Sequence, residues 1–531
     1  MENFNFKAYT EMLFGKGQIS KLPEVINRFG KNVLLAYGGG SIKKNGIYDK
    51  VKELLKDCNI VELDKIEPNP RIETVRRGVD LCRENNIDVI LAVGGGSTID
   101  CSKVVAAGAF YEGDAWDLVT NSEKINKVLP IVTILTLAAT GSEMNGNAVI
   151  TKMDTNEKLG TGSDKLKPQV SILDPEYLYT LPAIQTAAGT ADIMSHIFES
   201  YFKKTKGAFV QDKFSEGLLE TCIKYCPIAL KDPKNYEARA NLMWASSMAL
   251  NGLCGSGKPG AWTCHPIEHE LSAFYDITHG VGLAIVTPRW MRYILSENTV
   301  DKFVDYAINV WKLENNDDKF ALANEAIDLT EKFFKDCGIP MTLKEVNIDE
   351  THFDEMAKGA VEHGSLAYAY VPLNEDEIPY GESGYAQLRL EEKIVAKKGD
   401  RFIIRSYSPM DTIGGGIIID TAPKKHKIYD ESVIETLKIK EKGELKDIIE
   451  EYLKLNLSNY ITLKDLISYT GDKEEYVKEG LDVLIKENKV IPVNKYYLHI
   501  SHYNKLKDKT MDILNKYHKQ YRLRKGMLKE E

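Results

Sequence analysis

The chain has 531 residues, of which 43% are hydrophobic and 28% are charged, a balance that excludes a collagen-like or wholly disordered protein. Its formal net charge of −9 argues against binding of nucleic-acid phosphates by the whole molecule. The longest uncharged apolar stretch, residues 128–142, is shorter than the ~20 residues of a bilayer-spanning helix. The N-terminus has neither the basic nor the apolar segment of a secretory signal, so we expect a cytoplasmic protein without a membrane span.

The first 180 residues alternate between short strands and helices. Buried strands are predicted at residues 31–37, 60–63, 88–93, 129–134 and 170–173, with helices at 44–57, 71–86 and 98–110. Strands separated by helices imply a mostly parallel sheet. After Pro182 the pattern becomes helical, at 183–202, 212–225, 236–250, 298–311 and 324–337. We therefore predict an α/β domain over residues 1–181 and an all-helical domain over residues 182–380.

Two glycine clusters follow predicted strands: Gly38-Gly39-Gly40-Ser41 follows the first, and Gly94-Gly95-Gly96-Ser97 follows the third. Glycine lets the backbone approach a ligand closely, and the N-terminus of the next helix offers free N–H groups that suit a pyrophosphate. One isolated triglycine is equally compatible with a plain tight turn, but two at equivalent strand ends favour a nucleotide site. Neither is a G-x-G-x-x-G fingerprint, so a standard Rossmann domain is not predicted.

Four of the ten histidines lie close together in the predicted helical part, at His196, His265, His269 and His279. Asp192 and His196 are four residues apart, which places a carboxylate and an imidazole on one helix face, and His265 and His269 repeat the spacing. A single such pair is more often structural than metal-binding. The concentration of four histidines and an aspartate favours a site for a first-row divalent metal with open coordination for a substrate oxygen. Together with a dinucleotide site, it predicts hydride transfer between a nicotinamide and an alcohol or carbonyl group.

Four segments resemble the iron-containing (group III) alcohol dehydrogenases, most closely their clostridial butanol dehydrogenase branch: GGGSTID at 94–100, TLAATGSE at 136–143, GTADIMSH at 189–196 and HPIEHEL at 265–271. The resemblance runs from residue 1 to about 378. It implies a dehydroquinate synthase-like fold with an N-terminal dinucleotide-binding domain and an all-α metal-binding domain. A metal-dependent polyol dehydrogenase or a dehydroquinate synthase, which share this architecture, is the alternative among enzymes.

The resemblance also implies the roles of particular residues. The metal ligands would be Asp192, His196, His265 and His279, with Fe(II) as the usual ion and zinc as a substitute. His269 would lie near the nicotinamide, where a near-neutral pKa would suit a proton relay; alternatively, it would only orient the metal ligands. The residues expected at the coenzyme are Gly38, Gly39, Ser41, Gly94, Gly95, Gly96, Ser97, Asp100, Thr136, Thr140, Asn147 and Lys158.

The coenzyme preference depends on the loop after the first strand. Family members that use NAD often carry an acidic residue where this chain has Gly38, because a carboxylate binds the ribose 2′-OH and repels a 2′-phosphate. Gly38, with Lys43 nearby, therefore predicts NADP(H) over NAD(H), although clostridial relatives with this loop are often described as NADH enzymes. By analogy with fermentative relatives, we expect a homodimer that reduces a short-chain aldehyde such as butanal.

Composition changes in the last third of the chain, where Cys and Trp are absent after residue 337. Segments 386–390, 399–409 and 412–426 resemble the bacterial selenocysteine-specific elongation factor. The resemblance implies a partial Tu-type β-barrel over 384–424, a winged helix over 425–500 and the truncated start of a second winged helix over 501–531. Helices are predicted at 445–455, 463–469 and 473–488, followed by a hairpin at 490–500. The triglycine at 414–416 is accordingly a strand and turn feature.

This C-terminal part lacks the pieces of a complete translation factor. No G-x-x-x-x-G-K-[ST] motif occurs, so no GTPase core is present. Residues 473–488 carry three lysines and five acidic residues, which favours a protein-contact or spacer module over RNA or ribosome binding. Compared with the two families, both partners are cut at residues 378–384, as an accidental gene fusion or a faulty gene model would produce. The rival function for the whole chain is that of a translation-related RNA-binding fragment.

Overall fold

The computed structural model describes residues 1–373 and, beyond them, 385, 386, 388, 396, 397, 399–405, 412–420, 437, 438, 440, 441, 443–456, 460–470 and 472–521. The chain divides into two compact units, Met1–Glu375 and Asp376–Glu531. Among the described helices, none is both long enough and apolar enough to cross a bilayer.

A six-stranded parallel sheet forms the N-terminal half of the first unit, in the order β1-β8-β5-β4-β2-β3. Its strands are β1 (Glu11–Phe14), β2 (Asn32–Tyr37), β3 (Asn59–Leu63), β4 (Val89–Gly94), β5 (Ile131–Leu135) and β8 (Val170–Leu173). A separate antiparallel hairpin consists of β6 (Asn147–Lys152) and β7 (Glu157–Gly162). Because β4 pairs with both β2 and β5, the loops that follow these three strands begin side by side. In open α/β sheets this carboxyl edge is where ligands bind.

Helices cover both faces of the sheet, which is why its strands are apolar on both faces. They are α1 (Leu22–Asn27), α2 (Ser41–Lys44), α3 (Ile47–Leu54), α4 (Ile72–Glu84), α5 (Gly96–Gly108) and α6 (Trp116–Thr120). Leu34 and Ile90 pack in the apolar cluster with α4 and α5, whereas Leu35 and Leu91 pack in the cluster with α1 and α3. Burying each such side chain contributes roughly 1.5–3 kcal/mol.

The second half of this unit is helical and is organised around one buried helix. Its helices are α7 (Ala183–Tyr201), α8 (Phe209–Lys231), α9 (Tyr236–Ala249), α10 (Cys264–Tyr275), α11 (His279–Ile294), α12 (Val300–Asn309), α13 (Lys319–Asp336) and α14 (Phe353–Gly364). Every residue of α7 from Thr186 to Tyr201 is buried. Its polar side chains consequently lie inside the protein, where each needs a partner.

The predicted fold class is confirmed, and so are the five predicted strands. The predicted helix over 44–57 is two helices, α2 and α3, because Gly46 adopts a left-handed conformation with φ 79° between them. The sequence patterns missed β1, the β6–β7 hairpin and the helices α1, α6, α10, α11 and α14.

In the second unit, β9 (Arg401–Arg405) and β10 (Thr412–Ile417) form an antiparallel pair. The triglycine at 414–416 lies in β10, as predicted. Parts of the predicted C-terminal segments lie outside the described residues: 384, 387, 389–395, 398, 406–411 and 421–424 of the barrel segment, 425–436, 439, 442, 457–459 and 471 of the winged-helix segment, and 522–531 of the second module.

The order of elements predicted for a winged helix is present. It comprises α15 (Leu445–Leu455), β11 (Ile461–Thr462), α16 (Leu463–Thr470), α17 (Glu474–Lys486), β12 (Val490–Val493) and β13 (Tyr496–His499). Apolar residues of the helices, among them Ile449, Leu466 and Leu481, form its core. The last element is a single long helix, α18 (Ile500–Gln520).

Candidate metal and coenzyme site

Three helices bring the four predicted metal ligands together. Asp192 and His196 lie one turn apart on α7, His265 is the second residue of α10, and His279 is the first residue of α11. His196 Nδ1, His265 Nε2 and His279 Nε2 lie 3.4, 3.7 and 3.7 Å from Asp192 Oδ1. Ligand atoms around a tetrahedral metal with bonds of ~2.1 Å are ~3.4 Å apart. Ligand atoms of Asp192, His265 and His279 all lie within 4.8 Å of one another, which suits one metal ion, and His196 reaches the same Asp192 oxygen.

Unsatisfied polar atoms point to the same place. Among the residues that the structure describes, Asp192 Oδ1, His196 Nδ1 and His265 Nε2 are buried without a hydrogen-bond partner. Leaving such an atom unpaired in the interior costs about 1–3 kcal/mol. A cation bound between them would satisfy all three, so the residues present fit a divalent metal.

The pKa values of Asp192 and the histidines also indicate a metal site. Burial acts to raise the pKa of Asp192, but the imidazoles of His196, His279 and His265 hold that pKa well below its usual range. Burial lowers the pKa of His196 to about 3, so its imidazole is neutral and has a lone pair to donate. Burial acts in the same direction on His265, but the nearby carboxylates of Asp192 and Glu199 raise its pKa to about 9. The raised pKa means that His265 attracts a proton, and a metal ion bound at this site would displace that proton.

Two buried carboxylates next to the ligands were not singled out in the sequence. Glu199 accepts hydrogen bonds from the backbone N–H of Thr263 at 2.8 Å and of His265 at 3.1 Å, and it lies 3.3 Å from His265 Nδ1. Glu268 contacts His279 Nδ1. Each carboxylate follows a histidine ligand by three residues on the same helix, which is a signal the sequence does contain. Carboxylates in this position hold metal-binding imidazoles in one orientation.

His269 lies beside two of the predicted ligands, His265 and His279. Its ring centroid is 6.4 Å from that of His265 and 5.7 Å from that of His279. Its nitrogen, one from His279 and a Glu268 oxygen lie within 4.8 Å of one another. Burial and the nearby Lys158 ammonium lower the pKa of His269 well below its ordinary value. The expectation of a near-neutral pKa is therefore corrected, because the site stabilises the neutral imidazole.

The glycines after β4 pack too closely for any other residue. A Cβ at Gly95 would lie 2.9 Å from Leu137 Cβ, and a Cβ at Gly96 would overlap the Thr140 side chain. Thr136 N–H donates to the Gly94 carbonyl at 3.0 Å, which joins the loops after β4 and β5. The structure thus brings together five of the predicted coenzyme residues at the carboxyl edge of the sheet: Gly94, Gly95, Gly96, Thr136 and Thr140. Ser97 lies in the first turn of α5 and donates a hydrogen bond to the Pro68 carbonyl.

The loop after β2 is more open. A Cβ at Gly39 would meet no described atom within 4 Å, whereas one at Gly38 would lie 3.2 Å from the Ile66 carbonyl oxygen. Ser41 begins the short helix α2. Lys43 Nζ lies 5.0 and 4.7 Å from the ring centroids of Tyr37 and Tyr48. The hydroxyls of both tyrosines donate to Glu62 at 2.7 Å, so an acidic residue that the sequence reasoning missed adjoins this loop.

Three of the predicted coenzyme residues are engaged within the protein. The Asp100 carboxylate accepts hydrogen bonds from Ser142 Oγ and from Val149 N–H, the latter at 2.9 Å. Asn147 is exposed at the start of β6, and its carbonyl accepts a hydrogen bond from a buried lysine, Lys103, at 2.7 Å. Lys158 is buried on β7, where Nζ lies 3.3 Å from Glu268 and 3.4 Å from His279 Nδ1. The structure therefore places Lys158 among the metal-site residues.

Family comparisons divide the chain at the same general region as the change in composition. Residues 10–175 match the sequence model of iron-containing alcohol dehydrogenases, and residues 186–380 match that of the C-terminal part of the Fe-containing alcohol dehydrogenase family. Residues 365–425 match the β-barrel domain of the selenocysteine-specific elongation factor. Residues 365–425 are thus similar to a second family.

Individual relatives are matched over nearly their whole length by the first 380 or so residues of this chain. The chain is 56% identical over 381 residues to NADH-dependent butanol dehydrogenase A of Clostridium acetobutylicum, covering 71% of this chain and 98% of that protein. It is 42% identical over 369 residues to NADPH-dependent aldehyde reductase YqhD of Escherichia coli, covering 68% and 94%. The solved structure of NADH-dependent butanol dehydrogenase A from Thermotoga maritima matches with a TM-score of 0.65 and 42% identity, over 70% of this chain and 92% of that one. Because two family models together match most of the chain and these relatives are matched over nearly their whole length, the chain belongs to the iron-containing alcohol dehydrogenase family.

Proposed function

We propose that residues 1 to about 378 act as a metal-dependent, NAD(P)-linked alcohol dehydrogenase that reduces short-chain aldehydes such as butanal. The observation that carries this proposal is the convergence of unpartnered buried atoms of Asp192, His196 and His265 with His279. The names of the relatives, butanol dehydrogenase and aldehyde reductase, support the substrate class.

Asp192, His196, His265 and His279 would hold the metal, with Fe(II) as the expected ion and zinc as a possible substitute for this oxygen and nitrogen donor set. When bound, the ion supplies Lewis-acid polarisation of the substrate oxygen. The chain's own contribution is positional. Glu199 and Glu268 orient two imidazoles, and the buried surroundings exclude water from the ligand atoms.

His269 is proposed as the proton relay, with orientation of the metal ligands as the alternative role. Its imidazole, held neutral by burial, can accept a proton on one nitrogen while it donates from the other. Replacing His269 with Gln separates the two roles. A relay predicts a lower kcat and an altered pH profile with metal affinity retained, whereas an orienting role predicts weaker metal binding.

For the coenzyme we propose a preference for NADP(H) over NAD(H). Gly38 leaves no carboxylate at the start of the loop after β2 to repel a 2′-phosphate, and Lys43 provides a nearby positive charge. This preference is opposite to that of the two similar Clostridium acetobutylicum proteins, which are named NADH-dependent butanol dehydrogenases A and B. Comparing kcat/KM for NADPH and NADH decides it, and a higher value for NADH would contradict the proposal.

The decisive experiment is turnover by the full chain loaded with Fe(II) or Zn(II). We expect NAD(P)H oxidation with butanal, faster than the turnover of glycerol, and its loss in Asp192→Ala and His279→Ala variants. Faster turnover of glycerol would indicate a polyol dehydrogenase instead. Tight binding of a selenocysteine-insertion RNA hairpin without turnover would support the rival translation-related function.

The remaining predictions concern the whole protein. We propose that the barrel segment over 384–424, the winged helix over 425–500 and the segment over 501–531 serve as a spacer or protein-contact part, since α17 carries more acidic than basic residues. A homodimer is proposed and would be checked by light scattering in solution. The cytoplasmic location and the boundary between the domains over 1–181 and 182–380 stay predictions. An intact-mass measurement of the endogenous product would establish whether both parts occur in one chain.

A further inference from the structure

The Glu268 carboxylate is fully buried and is contacted by three side chains from different elements. On one oxygen it meets His279 Nδ1 and, at 3.3 Å, Lys158 Nζ. On the other it accepts a hydrogen bond from Ser272 Oγ, one turn further along α10. A buried carboxylate is costly unless it is paired in this way, so the contacts constrain where it lies.

The packing of α10 against α11 leaves space for this carboxylate. A Cβ at Gly282 would lie 2.7 Å from Glu268 Cγ and 3.0 Å from Oε1. Glycine at this position of α11 therefore lets Glu268 lie against the helix that begins with His279. The arrangement does not depend on a flexible surface side chain.

Glu268, His269 and His279 form a second group whose ligand atoms are close enough together to hold a metal ion. That group already has a cation beside it, because Lys158 Nζ lies 3.3 Å from Glu268 Oε2 and 3.4 Å from His279 Nδ1. A second metal would have to displace a buried ammonium group. His279 thus faces two different centres, with Nε2 toward Asp192 and Nδ1 toward Glu268.

We propose that Glu268 is a positioning residue with two tasks, and this inference rests on the metal-dependent function proposed above. By accepting the His279 Nδ1–H, it fixes the tautomer whose Nε2 lone pair faces Asp192. By pairing with Lys158, it keeps that ammonium from facing the bound metal ion without a counter-charge. Glu268 thereby couples the hairpin strand β7 to the first residue of α11.

The test compares two substitutions on the same helix in the full chain. Glu268→Gln removes the charge and keeps the shape, and Glu270→Gln is its matched control, since Glu270 is also buried but pairs with His363 at 3.1 Å. The probe is Zn²⁺ added to the metal-free protein, followed by tryptophan fluorescence, because the Trp262 ring lies 4.7 Å from that of His265. We expect Glu268→Gln to weaken Zn²⁺ binding by about 10- to 100-fold and Glu270→Gln to leave it nearly unchanged.

Ser272→Ala provides a milder variant that keeps the carboxylate and removes one of its hydrogen bonds. It should weaken Zn²⁺ binding by a smaller factor, about 3- to 10-fold. Thermal unfolding of the metal-free proteins separates this effect from a general loss of structure. If these side chains had only a structural role, all three substitutions would lower the melting temperature without producing this order of Zn²⁺ affinities.

The failures of the inference and of the proposed function are distinguishable. If the parent binds Zn²⁺ and Glu268→Gln and Ser272→Ala bind it equally tightly, the positioning role is refuted and the proposed function stands. If Glu270→Gln weakens binding as much as Glu268→Gln, the special role of Glu268 is also refuted. A parent protein that binds no metal would overturn both.

Discussion

Gly280 offers the sharpest test of how the helices form the metal site. It follows His279 on α11 and lies against the backbone of α7, where an added Cβ would overlap the Ala188 carbonyl oxygen. A backbone atom cannot rotate away as a side chain can, so Gly280→Ala must shift α11 from α7 by on the order of 1 Å. Asp192 lies one turn beyond Ala188, so the shift separates Asp192 Oδ1 from His279 Nε2.

The expected size of the effect follows from this displacement. Overpacking a helix contact costs about 1–3 kcal/mol of unfolding free energy. Metal–ligand distances tolerate deviations of only about 0.2 Å, so the larger shift removes His279 from the ligand set. A displacement of about 1 Å at a reacting centre lowers activity by roughly 100-fold. We therefore expect Gly280→Ala to weaken Zn²⁺ binding and to slow butanal reduction, each by about 100-fold.

Urea unfolding, Zn²⁺ titration and NAD(P)H oxidation with butanal measure these effects. The matched control is Gly217→Ala in α8, where an added Cβ would meet no described atom within 4 Å. That change should stabilise the protein by about 0.5–1 kcal/mol, because alanine favours an exposed helix interior, and should not alter metal binding. If Gly280→Ala binds Zn²⁺ as tightly as the parent, the α7–α11 contact does not set the ligand geometry.

Three further predictions concern single side chains. Trp262→Phe should abolish most of the fluorescence change on Zn²⁺ binding without changing its affinity, and a full residual signal would place the responsive tryptophan elsewhere. Burial acts to raise the pKa of Glu450, but hydrogen bonds from Lys454 and Lys489 hold that pKa at about 2, below its usual 4.5. The pair therefore stabilises the winged helix above pH 4.5, by about 1–2 kcal/mol after allowance for the exposed lysines, and this contribution is lost as the pH falls from 4.5 toward 2. Acid titration of Glu450→Gln should lack that loss, and an unchanged acid midpoint would contradict the pairing. Asn235→Ala removes the side chain that accepts the Ala238 N–H at 3.0 Å and caps α9, so urea unfolding should show a loss of about 1 kcal/mol.

The sheet was predictable because its strands are continuous apolar runs buried on both faces, such as Val89–Gly94. Strand β1 was not predictable from the sequence, because it has only four residues and none of them is fully buried. It is a strand because it pairs with β8. The helices α10 and α11 were missed because histidines, glycines and Pro288 interrupt their apolar pattern. Among these interruptions, His265 and His279 are two of the predicted metal ligands.

The metal ligands were predictable from spacing and resemblance, but their supporting contacts depend on tertiary structure. Lys158 was expected at the coenzyme, and the structure shows that its ammonium group lies against Glu268, a residue 110 positions away in sequence. Glu199 accepts hydrogen bonds from the N–H of Thr263, just before α10, and of His265 in the first turn of α10, 64 and 66 residues distant. Helical periodicity places these carboxylates on the correct faces, and only the folded chain shows which groups they meet.

The Asp and His side chains that converge all come from helices α7, α10 and α11, whereas the glycine loops follow strands of the sheet. Electrophile and reductant are thus specified by different secondary structures. If the two sites are as proposed, we expect that exchanging residues in the loop after β2 alters the preference between NADP(H) and NAD(H) while the Asp and His side chains of the helices stay in place.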